Sequence, residues 1–153
     1  MLQRIQTLYL LAAFGLCIAC LCSPIAHFLV TGTDEIIDMY NLWLVSAEGA
    51  HMFSFCPVLM VLLLITATAL FLDVWLFTRR ALQMRLATFC MLLLIAWNIV
   101  YGILTFLLST EMQATWRPHW TAALPAASLI LTYLAFRGIL KDDMLVRSLD
   151  RLR

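Results

Sequence analysis

Charge is scarce in this chain. Of its 153 residues 12% are charged and 64% hydrophobic, the formal net charge is +1, and the mean hydropathy is +0.96. So little polar surface cannot coat a water-soluble globule of this size. Without a basic stripe there is also no footprint for nucleic acid. Glycine is sparse as well, and five in the whole chain leave no loop able to cradle a phosphate. Nucleophile–base sets, paired catalytic carboxylates and cysteine pairs at metal-ligand spacing are missing from the sequence. No reaction class is indicated, and neither enzymatic activity nor a cofactor is expected.

What the chain does have is long apolar runs, at about Leu8–Phe28, Phe53–Phe77, Leu86–Leu108 and Trp120–Leu140. Each is near or above the ~20 residues that carry a helix across ~30 Å of hydrocarbon. None carries a polar stripe at helical period, which sets them apart from buried helices of a soluble protein. The expected fold class is therefore an all-α membrane protein with one domain over residues 1–153, a bundle of four transmembrane helices whose first solvent is lipid. The first run faintly resembles a secretion signal, with Leu16-Cys17-Ile18-Ala19-Cys20 as a lipoprotein cleavage box. It is too long for that, and Cys17 stands where such a box wants leucine. Cys17, Cys20, Cys22, Cys56 and Cys90 lie in or beside apolar runs and read as small packing residues.

Orientation follows from the basic residues. Arg4, Arg79, Arg80, Arg85, Arg137, Lys141, Arg147, Arg151 and Arg153 fall on one side of the runs, and only Arg117 falls on the other. The positive-inside bias puts both termini and the middle loop in the cytoplasm. The other side then holds residues 29–52 and 109–119. In the first, Thr31-Gly32-Thr33-Asp34 is a turn signal between β-branched and aromatic stretches, so a small external β-hairpin is expected there. The second, with Trp116, Arg117, Pro118 and His119 before Trp120, reads as an interfacial anchor.

Several residues are candidates for contact. Tyr40 and Trp43, placed on a strand, would point to opposite faces, one of them outward toward a partner, with Asp34, Glu35 and Asp38 rimming an acidic surface. In the tail 141–153, Leu145, Leu149 and Leu152 recur at helical spacing opposite Asp143 and Arg147, the pattern of a short amphipathic helix that lies on lipid or docks a partner. Asn98, Thr66, Thr68, Ser128 and Thr132 sit at mid-run and are expected to hydrogen-bond between helices. Asp73, the one acid inside a run, is expected to pair at the interface with Arg137 or with Arg79 and Arg80. His27, His51 and His119 all gather at the external boundary, where imidazoles either ligate a metal or haem iron or simply settle as amphipathic side chains.

The ends of the chain carry a resemblance. Met1-Leu2-Gln3-Arg4-Ile5-Gln6-Thr7-Leu8-Tyr9-Leu10-Leu11, and Lys141-Asp142-Asp143 through Leu149-Asp150-Arg151-Leu152-Arg153, resemble a Bacteroidota family of small four-helix inner-membrane proteins of unknown function. The resemblance spans the whole chain and implies a bacterial inner membrane, with no activity attached. In layout alone the chain is similar to claudins, with Leu42-Trp43-Leu44 in the first external loop but without their paired loop cysteines. The expected role is a non-enzymatic scaffold, accessory subunit or assembly factor, with a membrane-protein partner or a second copy of the chain beside the lipid bilayer. A small transporter or channel component is the alternative, and a haem- or quinone-linked redox subunit is a further one. Reporter fusions test the orientation. Fusions after Arg85 and Arg153 should read cytoplasmic and one after Gln113 external, whereas an external signal at Arg153 overturns the topology.

Overall fold

The structure, a computed structural model, describes residues 2–32, 35–46, 51–52, 57–76 and 79–150, with side chains at 2–4, 51–52 and 145–150 left aside. Helices α1 (Leu2–Cys22), α2 (Pro57–Trp75), α3 (Arg80–Glu111) and α4 (Leu124–Asp150) are long and apolar enough to cross a membrane. Each packs on its neighbour in sequence, and α4 closes the ring against α1. Strands β1 (Ala26–Val30), β2 (Ile36–Met39), β3 (Leu44–Val45), β4 (His51–Met52) and β5 (Ala114–Pro118) form one antiparallel sheet in the order β4-β3-β2-β1-β5.

The helix boundaries have local causes. α1 stops at Cys22, not at Phe28, because Pro24 cannot continue a helix and pushes Ser23 out of helical conformation. The freed residues extend into β1. α2 opens on Pro57, whose missing N–H is one the first turn leaves unbonded anyway. α3 runs on through Ser109 and Thr110 to Glu111 and ends where Gln113 turns left-handed at φ 48°, sending the chain into β5. A 3-10 turn at Trp120–Ala123 leads into α4, which continues unbroken through the expected tail to Asp150.

The expected two-stranded hairpin is thus only part of the sheet. The β1–β2 turn does fall at Gly32, at φ 110°, a backbone region open to glycine. The second segment supplies β5, paired with β1 from Ala26 opposite Pro118 to Val30 opposite Ala114, instead of a bare anchor. Pro118 is tolerated because β5 is an edge strand. Alternation sorts the two faces: Ala26, Phe28, Ile37, Met39 and Leu44 are buried against the helix ends, while His27, Leu29, Ile36 and Asp38 look away.

Between the helices the core joins large side chains, among them Leu59, Leu63, Leu94 and Trp97, to small ones on α1 and α4. Ala13, Cys17, Ala135 and Ser128 are buried where α1 meets α4, and a Cβ at Gly138 would stand 2.9 Å from Gln6 Cγ. Small residues at such crossings let helices approach closely. Outward, the helices are apolar: of each span only 28–39% of residues are buried, and Leu92, Ile99, Phe106 and Ile130 stand exposed.

The mid-helix polar groups bond differently from expectation. Thr66, Asn98 and Thr132 donate to the carbonyls of Leu62, Leu94 and Ser128, each four residues back on its own helix, and Thr68 donates to Ile65 O. A short side chain in a helix finds its own backbone first. Ser128 is the one that crosses, donating to Ala13 O at 3.0 Å with its Oγ 3.3 Å from Cys17 Sγ. Denaturation in micelles should therefore find Ser128→Ala less stable by roughly 0.6–1.7 kcal/mol, and Asn98→Leu altered by under about 0.5 kcal/mol. A larger loss for Asn98→Leu than for Ser128→Ala contradicts this assignment.

Candidate functional site

The outward face of the sheet is built by register. Asp38 on β2, His27 on β1 and Arg117 on β5 are direct cross-strand partners, with Val45 on β3 extending the same row. His27 donates Nδ1–H to Asp38 Oδ1 at 2.6 Å, each side chain more than a third exposed. A carboxylate has only acceptors, so the donor must be the imidazole. The His119 ring stands edge-on to His27, 5.0 Å between centroids. The next row places Thr115, Leu29 and Ile36 side by side. Polar and apolar rows together line a hollow of about 370 Å³ that includes His27, Leu29, Ile36, Asp38 and Arg117.

The sheet is tied to the helices by the residues around the end of α1. Asn41 donates to Cys20 O at 2.7 Å, Thr121 to Pro24 O, and Tyr101 to Ile25 O at 3.1 Å; the His119 amide donates to the same Ile25 carbonyl at 3.2 Å. Tyr101 is held by the Trp97 ring, stacked at 5.3 Å and 7°.

Tyr40 and Trp43 do not lie on a strand. They close the turn between β2 and β3, Tyr40 N–H donating to Trp43 O at 2.9 Å, and both are half-buried. Both border a hollow of about 300 Å³ with Leu21 and Cys22 at the end of α1 and Met60 on α2. The expected outward ring on one strand face therefore gives way to a turn lying over two helix ends. Asp38 belongs to the His27 pair instead of an open acidic rim, and Glu35 is exposed. Asp34, Cys56 and Leu152 lie outside the described residues, and of His51, Leu145 and Leu149 only the backbone is described. Among the described residues no group of three His, Cys, Asp or Glu is arranged to hold a metal ion.

The opposite end of the bundle holds a second polar group. Gln6 on α1 donates to Asp142 Oδ2 on α4 at 3.1 Å, Arg80 on α3 donates to Asp142 O at 3.4 Å, and Gln83 on α3 donates to Asp73 O on α2 at 3.4 Å. Asp73 does not make the expected ion pair. It is fully buried and neither carboxylate oxygen has a hydrogen-bond partner, while Arg137 is exposed. Arg79 follows Asp73 by six residues, which keeps the acid near that end of the bundle, but the helix rotation turns its carboxylate inward. Gln6, Gln83, Asn41, Tyr101 and Thr121 were passed over in the sequence because no spacing rule marks their partners, which lie 136, 10, 21, 76 and 97 residues away. Arg117 carried one legible signal as the lone cation of its side.

A family model described as a domain of unknown function, DUF4293, matches residues 2–152. No curated protein matches the chain.

The orphaned carboxylate has a thermodynamic consequence. A buried polar group without a partner costs about 1–3 kcal/mol, so Asp73→Leu should raise the denaturation midpoint in micelles. A fall of similar size would mean that Asp73 has a stabilising partner.

Proposed function

The chain belongs to the DUF4293 family, and on that premise we propose that it is an integral protein of a bacterial inner membrane that holds a folded recognition sheet on the external side. It crosses the bilayer four times with both termini in the cytoplasm, and acts as a scaffold, accessory subunit or assembly factor and not as an enzyme. One observation carries the membrane part: outside the basic end with Arg85, Arg137 and Lys141, the outward faces of all four helices are dominated by apolar side chains, from Leu8 and Leu11 through Val61 and Leu72 to Phe106 and Ile130. In water that surface would far exceed the few hundred Å² of contiguous apolar patch a soluble monomer tolerates. Arg79, Arg80, Arg85, Arg137 and Lys141 sit at the end away from the sheet, which the positive-inside bias makes cytoplasmic. The arrangement resembles the claudin layout, four helices with an external sheet, and that likeness is part of the proposal.

The partner is a membrane protein or a second copy of this chain, and it binds the outward sheet face. Leu29 and Ile36 offer an apolar strip, and the adjacent row offers a cation at Arg117 and a part-exposed His27–Asp38 pair that orients a polar group. An apolar centre with a charged flank is the anatomy of a protein interface. A transporter is the second reading, favoured by the buried and unpartnered Asp73, since an ionisable group inside a bundle is costly unless it works.

Photo-crosslinking in native membranes tests the first reading. A photoreactive residue at Ile36 or Thr115 should give a discrete adduct, and Arg117→Glu should reduce it about tenfold or more while the denaturation midpoint holds within a few degrees. No adduct at either position, or one that survives Arg117→Glu, removes the sheet as the recognition surface. An adduct of twice the chain mass identifies the partner as a second copy.

A further inference from the structure

The cytoplasmic half of α4 contains a pattern that neither the sheet nor the polar group at that end uses. At alternating intervals of four and three residues, Ile130, Leu134, Arg137, Lys141 and Met144 fall along one stripe of the helix. All five are exposed. From Leu134 to Met144 the stripe borders a groove of about 510 Å³ between α4 and Tyr9 of α1, with Ile130 one turn beyond it. Its upper part is apolar and its lower part carries two cations one turn apart.

Those cations are unbalanced. Among the described residues the ion pair is His27 with Asp38, and neither Arg137 nor Lys141 has one. Asp142, next to Lys141 in sequence, turns the other way and accepts from Gln6. Two like charges at this spacing repel, and an anion between them removes the repulsion. Depth agrees. Measured from exposed Trp120 at the sheet end, a rise of 1.5 Å per residue puts Arg137 about 25 Å and Lys141 about 32 Å along the helix axis. They therefore bracket the far edge of a hydrocarbon slab about 30 Å thick. Basic pockets between helices at the cytoplasmic boundary suit phospholipid headgroups.

We propose that the α1–α4 groove is a site for one anionic phospholipid, its phosphate headgroup held by Arg137 and Lys141 and an acyl chain laid along Leu134 and Ile130. The site rests on the membrane reading given above. It differs from general attraction of the tail to acidic lipid in requiring these two cations and a chain track.

Native mass spectrometry of the delipidated full chain, titrated with phosphatidylglycerol or phosphatidylcholine, tests it. The wild type should retain one phosphatidylglycerol with roughly 30-fold preference, since each cation near the surface contributes about a factor of five. Arg137→Gln with Lys141→Gln should cut that preference below about threefold with an unchanged denaturation midpoint, while Arg85→Gln, which removes an exposed cation from the same end, leaves it intact. Excess inorganic phosphate should not displace the lipid, because the chain track holds it. Overturning results are a wild type without preference, a double variant that keeps it, an equal loss in Arg85→Gln, or displacement by phosphate. Should the double variant misfold, Leu134→Asp provides a second arm: it should weaken retention of both lipids by blocking the chain track, and unchanged retention overturns the site. A chain that fails to partition into membranes contradicts the membrane reading itself, whereas one that inserts without lipid preference contradicts this site alone.

Discussion

Everything at the sheet end depends on where the carbonyls at the end of α1 find donors. A helix leaves its last carbonyls unsatisfied, and one buried away from water must find a donor within the protein. Here Cys20, Pro24 and Ile25 accept from Asn41, Thr121, Tyr101 and the His119 amide, so β2–β3, α3 and the entry to α4 converge on the six residues from Cys20 to Ile25. These bonds place β1 squarely over the bundle, and β1 then takes β2 on one side and β5 on the other. The outward row of Asp38, His27 and Arg117 is a result of that placement: shift any of the three strands by one residue and the row turns to the helices.

The bundle below obeys the opposite economy. Its polar side chains mostly return to their own backbone, as Thr66, Asn98, Thr105 and Thr132 do. Helix association rests on apolar packing, from Leu59, Leu63, Leu94 and Trp97 to the small Ala13 and Ala135, with Gly138 set against Gln6 and Ser128 to Ala13 O as a direct bond. Polar links between helices gather at the end away from the sheet, around Asp142 and Gln83. Asp73 stands out in this company as a buried acid whose carboxylate has no hydrogen bond, which is why it remains the focus of the transporter reading.

How much of this was legible depends on the range of the interaction. The four helices were, because length and unbroken apolarity are local properties; so was the turn at Gly32, where a left-handed backbone requires glycine. Strand-forming residues around Phe28 and Ile37 were visible as a hairpin. β5 was not, because Ala114–Pro118 has strand character only in company, being paired with a strand nearly 90 residues earlier. The same reason hid the His27–Asp38–Arg117 row: the residues were each in view, but their adjacency is a matter of register. Asp73 was misjudged because proximity in sequence to Arg79 and Arg80 says nothing about which way a helix is rotated. Tyr40 and Trp43 were misplaced because a strand read through Asn41-Leu42 missed the turn that Asn41 makes as it bonds back to Cys20.

The central claim is that the bundle's outer surface faces lipid and the sheet faces water. Spin labels in reconstituted vesicles measure this directly through collision with dissolved oxygen, which concentrates in hydrocarbon, and with a water-soluble nickel chelate. Labels at Leu92, Ile99 and Ile103, exposed on α3, should relax with oxygen and ignore nickel, and labels at Thr115 on β5 and at Glu35, just before β2, should do the reverse. Free access of nickel to Ile99 would contradict the account.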